Sequence, residues 1–161
     1  MKKYLKPVIC FAIFVATLVA DFVTKSIFDN KDITLIKGVF NISSAHNTGA
    51  GFSMFTDKVT FLLIVTIIFL IAFTLFNIFD KDEKTNLWWI SLALIYSGAI
   101  GNMVDRIVLG YVRDFLYFEL INFPIFNIAD VCLTVGVALF AFNFLIVLPK
   151  LKKQKEENNA I

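Results

Sequence analysis

Histidine and cysteine are scarce in this 161-residue sequence: His46 is the single histidine, and Cys10 and Cys132 are the two cysteines. The three residues do not have the spacing of a zinc site, and the HExxH motif of zinc metalloproteases is missing. We therefore expect no metal and no cofactor. A Ser–His or Cys–His pair would need His46 as its base, and no GxSxG-like motif accompanies it. A Ser–Lys pair that uses Lys25 remains conceivable, although nothing distinguishes one serine.

Charged residues are also sparse: they make up 17% of the sequence, whereas 58% of the residues are hydrophobic. Soluble domains contain about 45–50% apolar residues, and a water-soluble chain of this length could not bury such an excess. The length allows one domain, residues 1–161. No basic stripe is combined with a groove-reading motif, so nucleic acid is excluded as a partner. The composition therefore indicates one integral membrane domain.

Four apolar runs are long enough to be membrane spans. A helix needs about 20 residues to cross a hydrocarbon core of about 30 Å, and a helix satisfies every backbone polar group without water. The first run is too long for a cleaved secretory signal, so we interpret it as an uncleaved span. The spans lie at approximately residues 5–28, 59–79, 87–109 and 128–148.

The lysines predict the orientation of these spans. Nine of the fifteen basic residues lie before the first span, between the second and third, or after the fourth: Lys2, Lys3, Lys6, Lys81, Lys84, Lys150, Lys152, Lys153 and Lys155. Short loops rich in lysine and arginine stay in the cytoplasm. We therefore expect both termini to be cytoplasmic and the two connections, residues 29–58 and 110–127, to face outward.

Polar residues gather at the outward ends of the spans, where charge is expensive unless it is paired or functional. Asp21 and Lys25 are four residues apart and therefore share one helical face. They either fix the first helix or take part in a site. Gly98, Asn102 and Arg106 form one stripe of the third helix, where Gly98 lets another backbone approach closely.

Two charged residues of the third span have different expected roles. Arg106 is expected to organise carboxylates and chain, because a guanidinium keeps its proton. Asp105 lies around the helix from that stripe. It is either a surface partner of Arg113 or Lys58, or a member of the site.

Two aspartates are the best candidates for catalysis. Asp130 lies one turn into an apolar helix without an adjacent cation, and Asn127 before it is either a plain N-cap or a site residue. Asp114 follows the third span, beside apolar residues. Two carboxylates in a partly desolvated site can share one proton, so that one activates water while the other polarises a scissile carbonyl. An aspartyl hydrolase is therefore one hypothesis.

Five motifs occur in an order that resembles the lipoprotein signal peptidase (signal peptidase II) family of bacterial inner-membrane aspartyl proteases. They are DFVTK at 21–25, NTGAGFS at 47–53, GAIGNMVDR at 98–106, VRDF at 112–115 and FPIFNIAD at 123–130. The resemblance implies four transmembrane helices with a small extracytoplasmic β-layer near Ile33–Ser53. It also implies cleavage of prolipoproteins before a diacylglyceryl-modified cysteine.

The same resemblance assigns roles to individual residues. It implies a catalytic pair, Asp114 and Asp130, and a supporting set formed by Asp21, Lys25, Asn47, Gly98, Asn102, Arg106 and Asn127. The expected partners are a lipid-modified prolipoprotein and membrane lipid. We expect a multi-pass monomer with its active site near the outer face of the bacterial inner membrane.

Four departures from the family pattern leave both aspartates intact. Gly51 and Ser97 replace the usual alanine and glycine, Cys132 lies near a position that often holds serine, and Arg113 precedes Asp114 where an apolar residue is common. We expect Arg113 to face water. A proton-coupled transporter would need a carboxylate near the membrane midplane, whereas a noncatalytic adaptor would use these charges only to pair helices.

Overall fold

The computed structural model describes residues 2–49, 55–82 and 84–159. Part of the second motif, including Gly51 and the end of the expected β-layer, lies outside these residues. The helices are α1 (Lys2–Phe28), α2 (Val59–Phe79), α3 (Asn86–Leu109), α4 (Ile128–Phe142) and α5 (Leu148–Asn159), and a π-helical turn, Asn143–Val147, joins the last two. The strands are β1 (Asp32–Ile36), β2 (Phe40–Asn47) and β3 (Val112–Phe118).

In the described part of the chain, four helical segments are long and apolar enough to cross a membrane, which confirms the four predicted spans. They are Leu5–Phe28, Val59–Phe79, Asn86–Val108 and Ile128–Asn159. The fourth continues through the π-helical turn and α5. We call the end of the bundle that carries the strands the sheet end and the opposite end, which carries Lys6, Lys84 and Lys150, the lysine-rich end.

The three strands form a small antiparallel sheet in the order β1-β2-β3. A hairpin joins β1 to β2, and Gly38 in its turn has a φ of +72°, a conformation that glycine adopts without strain. The β-layer was therefore predicted correctly, but β3 was missed, because residues 110–127 were interpreted as a loop. Asp114 lies on this strand, where Ala45 of β2 is its cross-strand partner.

Helix α3 is the centre of the bundle and packs against α1, α2 and α4. Its contact with α4 is close because glycines lie in the interface. A Cβ atom on Gly98 would lie 2.4 Å from the backbone oxygen of Ala129, and one on Gly136 would lie 2.9 Å from the backbone nitrogen of Ile95. By contrast, α2 buries only Leu62 among its residues.

Aromatic and apolar packing holds the lysine-rich end together. Trp88, Leu92 and Leu148 form a buried cluster, against which Phe73 and Phe140 pack. The hydroxyl of Thr85 accepts a hydrogen bond from the backbone of Trp88 and so caps α3. The same hydroxyl donates to Oδ1 of Asn143, at 2.5 Å, and connects α3 to the π-helical turn.

The close contact between α3 and α4 predicts that Gly136→Ala destabilises the protein. The added methyl group meets backbone atoms that cannot move independently, and overpacking of this kind costs about 1–3 kcal/mol. Thermal unfolding in detergent is expected to shift to lower temperature. The matched control is Val137→Ala, at a position 48% exposed on the same helix. Equal stability of the two variants would contradict the packing described here.

Candidate active site

The sheet positions Asp114 in a buried environment, because β3 brings it under the edge of α4. Its side chain is only 3% exposed. Nδ2 of Asn47 donates to its Oδ2 at 2.9 Å, and Nδ2 of Asn127 donates to its Oδ1 at 2.6 Å. Both oxygens of this carboxyl group are therefore held by side-chain amides.

The start of α4 positions Asp130. The side chain of Asn127 accepts from the backbone nitrogen of Asp130 at 2.9 Å, and the backbone nitrogen of Asn127 donates to Oδ2 of Asp130 at 3.1 Å. This reciprocal pair is a capping box. Asn127 is therefore both the N-cap that the sequence allowed and a direct contact of both aspartates.

Backbone pairing holds the start of α4 against β3. The backbone nitrogens of Phe115 and Leu116 both donate to the oxygen of Phe126, at 3.0 and 2.8 Å, and the nitrogen of Phe126 donates to the oxygen of Leu116 at 3.0 Å. This pairing places Asn127 directly beside the strand that carries Asp114. Two aspartates that are sixteen residues apart in sequence are thereby brought into one site.

A second asparagine, Asn102 of α3, connects this site to the centre of the bundle. Its Nδ2 donates to Oδ1 of Asp130 at 2.7 Å. Its Oδ1 accepts from Asn127 at 3.1 Å and from Nζ of Lys25 at 3.0 Å. The two asparagine amides thus form a continuous hydrogen-bonded connection between Lys25 and both carboxylates.

Lys25 is fully buried and contacts two carboxylates. Its Nζ lies 2.8 Å from Oδ2 of Asp21 and 3.5 Å from Oδ2 of Asp105. Asp21 also accepts from the backbone nitrogen of Ala129, at 2.9 Å, and thereby connects α1 to the first turn of α4. The predicted Asp21–Lys25 pair therefore fixes the first helix and supports the site at once.

Arg113 does not face water, so that expectation was wrong. Its side chain is 17% exposed, and its Nη2 lies 2.8 Å from Oδ1 of Asp105. Its backbone nitrogen and Nε donate to Oδ2 of Asp105 at 3.1 and 3.2 Å. These hydrogen bonds raise the pKa of Arg113. Asp105 is indeed a partner of Arg113, but Asp105 is buried and Arg113 is only partly exposed, so the pair is not on the surface.

Arg106 and Gly98 support the site through the backbone. Nη2 of Arg106 donates to the oxygen of Gly49 at 2.8 Å, which holds the chain that follows β2. Arg106 therefore organises the chain, as expected, although no hydrogen bond joins it to a carboxylate among the described residues. Gly98 lies beneath the Ala129 carbonyl and allows α4 to begin next to α3.

A cavity of about 690 Å³ opens beside the two aspartates. Asn47, Arg106, Asp114 and Asp130 contribute polar groups to its wall, and most of the remaining wall is apolar. Its size and lining are those of a small-molecule or peptide site rather than of a packing defect.

The electrostatics of the site favour one shared proton. Burial, followed by the charge of Asp130, raises the pKa of Asp114 to about 7. A carboxyl group with this pKa is protonated, and therefore neutral, in a large fraction of molecules near neutral pH. It can therefore donate a hydrogen bond to a carbonyl oxygen while a second carboxylate accepts a proton from water.

Four polar side chains of the cavity wall were not predicted: those of His46, Thr48, Thr56 and Thr134. The ring of His46 stacks on Tyr111 with centroids 4.1 Å apart, and its Nε2 lies 3.0 Å from Oδ1 of Asp29. Thr134 lies one turn after Asp130. Thr134 is four residues after Asp130, so helix periodicity was an available signal for it, whereas His46 is adjacent to Asn47 in β2 and strand alternation gave no signal for it. Among the described residues no group of three or more His, Cys, Asp or Glu could hold a metal ion.

Comparisons with known proteins agree with this architecture. Residues 13–146 match the model of the family described as signal peptidase (SPase) II. A lipoprotein signal peptidase of Staphylococcus aureus (strain JH9) is 39% identical over 96% of this chain and 97% of its own. One from Clostridium tetani (strain Massachusetts / E88) is 44% identical over 68% of this chain and 71% of its own.

Solved structures resemble the chain over most of its length. A bacterial membrane enzyme solved by the in meso method at 2.3 Å resolution has a TM-score of 0.77 and 36% sequence identity, and the match covers 84% of this chain and 87% of that one. A second such structure, at 1.9 Å resolution, has a TM-score of 0.74 and 36% identity, over 85% of this chain and 92% of its own.

The raised pKa of Asp114 predicts that this residue's contribution to the stability of the protein decreases as the pH rises from about 4 to about 7. The ordinary pKa of an aspartate is about 3.9, whereas that of folded Asp114 is about 7. Between these values the folded state binds more protons than the unfolded state. The contribution of Asp114 to the free energy of unfolding is therefore largest below pH 4, and it decreases by at most about 1.4 kcal/mol per pH unit as the pH rises toward 7.

The measurement is thermal unfolding in detergent at pH values from 4 to 8, with Asp114→Asn as the test variant. This variant is expected to unfold with a shallower pH dependence, whatever its stability at a single pH. Asp32→Asn is the matched control, since it removes one carboxylate from an exposed position of the same sheet. An unchanged slope in Asp114→Asn, or an equal flattening in the control, would contradict the assignment.

Proposed function

The chain belongs to the signal peptidase II family of aspartic-type peptidases, and on this premise we propose that Asp114 and Asp130 are its catalytic pair. It is a membrane endopeptidase that removes signal peptides from prolipoproteins, by hydrolysis before the diacylglyceryl-modified cysteine. The observation that carries the assignment is the shared contact of both carboxylates with Asn127, at 2.6 Å to Asp114 and 3.1 Å to Asp130.

In the proposed mechanism the pair holds one proton and Asp114 carries it. The pKa of about 7 for Asp114 supports this distribution. Asp130 then accepts a proton from a water molecule whose oxygen attacks the scissile carbonyl carbon. Asp114 donates its hydrogen to the carbonyl oxygen, which becomes a hydroxyl in the tetrahedral intermediate.

Collapse of this intermediate restores the enzyme. The carbon–nitrogen bond breaks, and the amine of the modified cysteine leaves with the proton that Asp130 accepted. The hydroxyl of the intermediate returns its proton to Asp114 as the new carboxyl group of the signal peptide forms. One water molecule is consumed and the two carboxyl groups again hold one proton. Their titration belongs to the pair rather than to either residue.

The supporting residues keep this pair in position. Asn102 and Asn127 donate to the carboxylates, so each amide fixes the orientation of an oxygen atom. Lys25 holds the oxygen of Asn102, which leaves the amide nitrogen pointing toward Asp130. Asn47 fixes the outer oxygen of Asp114. Three residues support the pair indirectly. Asp21 and Gly98 contact the backbone of α4, and Arg106 contacts the backbone of the segment after β2.

The membrane placement suits a lipid-anchored substrate. A diacylglyceryl-modified protein is held in the bilayer and reaches the enzyme by lateral diffusion. The apolar wall of the cavity, which includes Val131, Leu133 and Val135 of α4, suits acyl chains and a signal-peptide helix. The polar wall beside Asp114 and Asp130 suits the peptide bond to be cleaved and the water that attacks it.

We propose that the sheet end faces outward and that both termini are cytoplasmic, in the bacterial cell membrane. The distribution of nine basic residues at the lysine-rich end and in the segments next to it supports this orientation. We also propose that one chain suffices for activity, because the carboxylates and the amides that contact them in the described residues all come from one chain.

Substitution of either aspartate by asparagine is expected to abolish cleavage of a diacylglyceryl-modified prolipoprotein by the purified protein in detergent. Asparagine keeps the size of the side chain but cannot exchange the proton, so a loss of at least about 10³-fold in kcat is expected for Asp114→Asn and for Asp130→Asn. The matched control is Asp32→Asn, which is expected to retain wild-type activity. Near-normal cleavage by either catalytic variant, when folded, would refute the aspartyl mechanism.

Labelling with a membrane-impermeant maleimide in right-side-out membrane vesicles tests the orientation. A cysteine at Thr34, exposed on β1, is expected to react without permeabilisation, whereas one at Glu156, exposed on α5, reacts only after permeabilisation. The unsubstituted protein measures the background from Cys10 and Cys132, which are intermediate and buried. The opposite labelling pattern would reverse the proposed orientation.

A further inference from the structure

The hydroxyl of Thr134 is a polar group of the cavity wall that the mechanism does not use. Four residues separate Thr134 from Asp130, so both lie on the same face of α4, about 6 Å apart along the helix axis. Thr134 is exposed, and it lines the cavity one turn further from the sheet end than Asp130. The hydroxyl therefore lies at membrane depth, beyond the pair of carboxylates.

Threonines elsewhere in the spans behave differently. Four of them lie at least one turn inside α1 or α2, and the hydroxyl of each donates to the carbonyl four residues earlier, at 2.7–2.9 Å. This is the usual way in which a helix satisfies a hydroxyl group in an apolar environment. The four are Thr17, Thr24, Thr66 and Thr74.

Thr134 makes no such bond. Among the residues that the structure describes, its hydroxyl has no hydrogen-bond partner, and the carbonyl of Asp130, four residues earlier, does not receive it. A hydroxyl without a partner is costly where water is scarce. Its position in the wall of the cavity leaves the donor available to a molecule that occupies the cavity.

The surroundings restrict what that molecule presents. Val131, Leu133 and Val135 flank Thr134 on α4, and all three line the same cavity. The partner therefore carries an isolated hydrogen-bond acceptor on an otherwise apolar body. It also lies about 6 Å from Asp130, within the length of two residues of extended chain or of a glycerol ester linkage.

We propose that Thr134 is a substrate-binding residue whose hydroxyl donates a hydrogen bond to a carbonyl oxygen of the lipid-modified prolipoprotein. The inference rests on the proposed function, because the cavity must hold this substrate. Two parts of the substrate carry such a carbonyl: the signal peptide, whose last helical turn leaves backbone oxygens without partners, and the ester groups of the diacylglyceryl unit. Either carbonyl is costly to leave unpaired in an apolar environment.

The test compares Thr134→Val, Thr134→Ser and wild type by steady-state cleavage of a diacylglyceryl-modified prolipoprotein peptide in detergent. Valine keeps the shape of threonine and removes the donor, so KM is expected to increase about 3- to 10-fold, the effect of one neutral hydrogen bond. The value of kcat is expected to change less than about twofold, because the contact is made equally in the ground and transition states. Thr134→Ser retains the hydroxyl and is expected to keep the wild-type KM.

The matched control is Thr66→Val, which removes a span hydroxyl that bonds to its own helix, at 2.9 Å to the Leu62 carbonyl. This variant is expected to keep the wild-type KM and kcat. A wild-type KM in Thr134→Val would overturn the proposal, as would an equal increase of KM in Thr134→Ser. Either result leaves the catalytic pair untouched, because that pair is tested by Asp114→Asn and Asp130→Asn in the same assay.

A second substrate identifies the source of the carbonyl. A peptide with a dialkyl ether in place of the diacyl ester lacks the ester carbonyls and keeps the peptide ones. If the KM ratio of Thr134→Val to wild type decreases to about one with the ether substrate, the hydroxyl binds an ester carbonyl. If the 3- to 10-fold ratio persists, it binds a backbone carbonyl of the signal peptide. Both results support the proposal.

Discussion

The buried ammonium group of Lys25 is the interaction on which the sheet end of the bundle depends. It contacts Asp21 on its own helix and Asp105 and Asn102 on α3. Removing one member of a buried ionic group costs about 3–5 kcal/mol, because the remaining charge is left without compensation. The two carboxylates extend the group, since Asp21 holds the backbone of α4 and Asp105 holds Arg113 on β3. One cation therefore connects three helices and the sheet.

The candidate catalytic pair is joined to this ionic group through neutral amides instead of through charges. Asn102 and Asn127 transmit the position of Lys25 to Asp114 and Asp130. A second cation in direct contact would favour the ionised form of both carboxyl groups. Amides orient the oxygens while leaving burial and mutual repulsion to raise the pKa of Asp114. The arrangement separates the residues that provide rigidity from the two carboxyl groups that we propose exchange protons.

Much of the fold and most of the candidate site could be predicted from the sequence, for identifiable reasons. The four spans follow from hydrophobicity alone, and Asp130 is conspicuous because an unpaired carboxylate inside an apolar helix is costly. Strand β3 was missed, because its run of Val112 to Phe118 includes two charges and lies beside a span. The burial of Arg113 was also missed, since its partner Asp105 is eight residues away on a different element. Such pairings depend on tertiary packing and cannot be predicted from a local sequence pattern.

The capping box of Asn127 and Asp130 lies at the start of the last span, so the candidate site depends on how that span packs. Asp114 belongs to β3, which precedes the last span. Asp130 and its capping partner Asn127 lie at the start of that span. A chain whose fourth helix has not yet packed against α3 holds one carboxyl group of the pair and lacks the amide of Asn127 that orients it. The proposed catalytic pair is therefore complete only after α4 has packed against both α3 and β3.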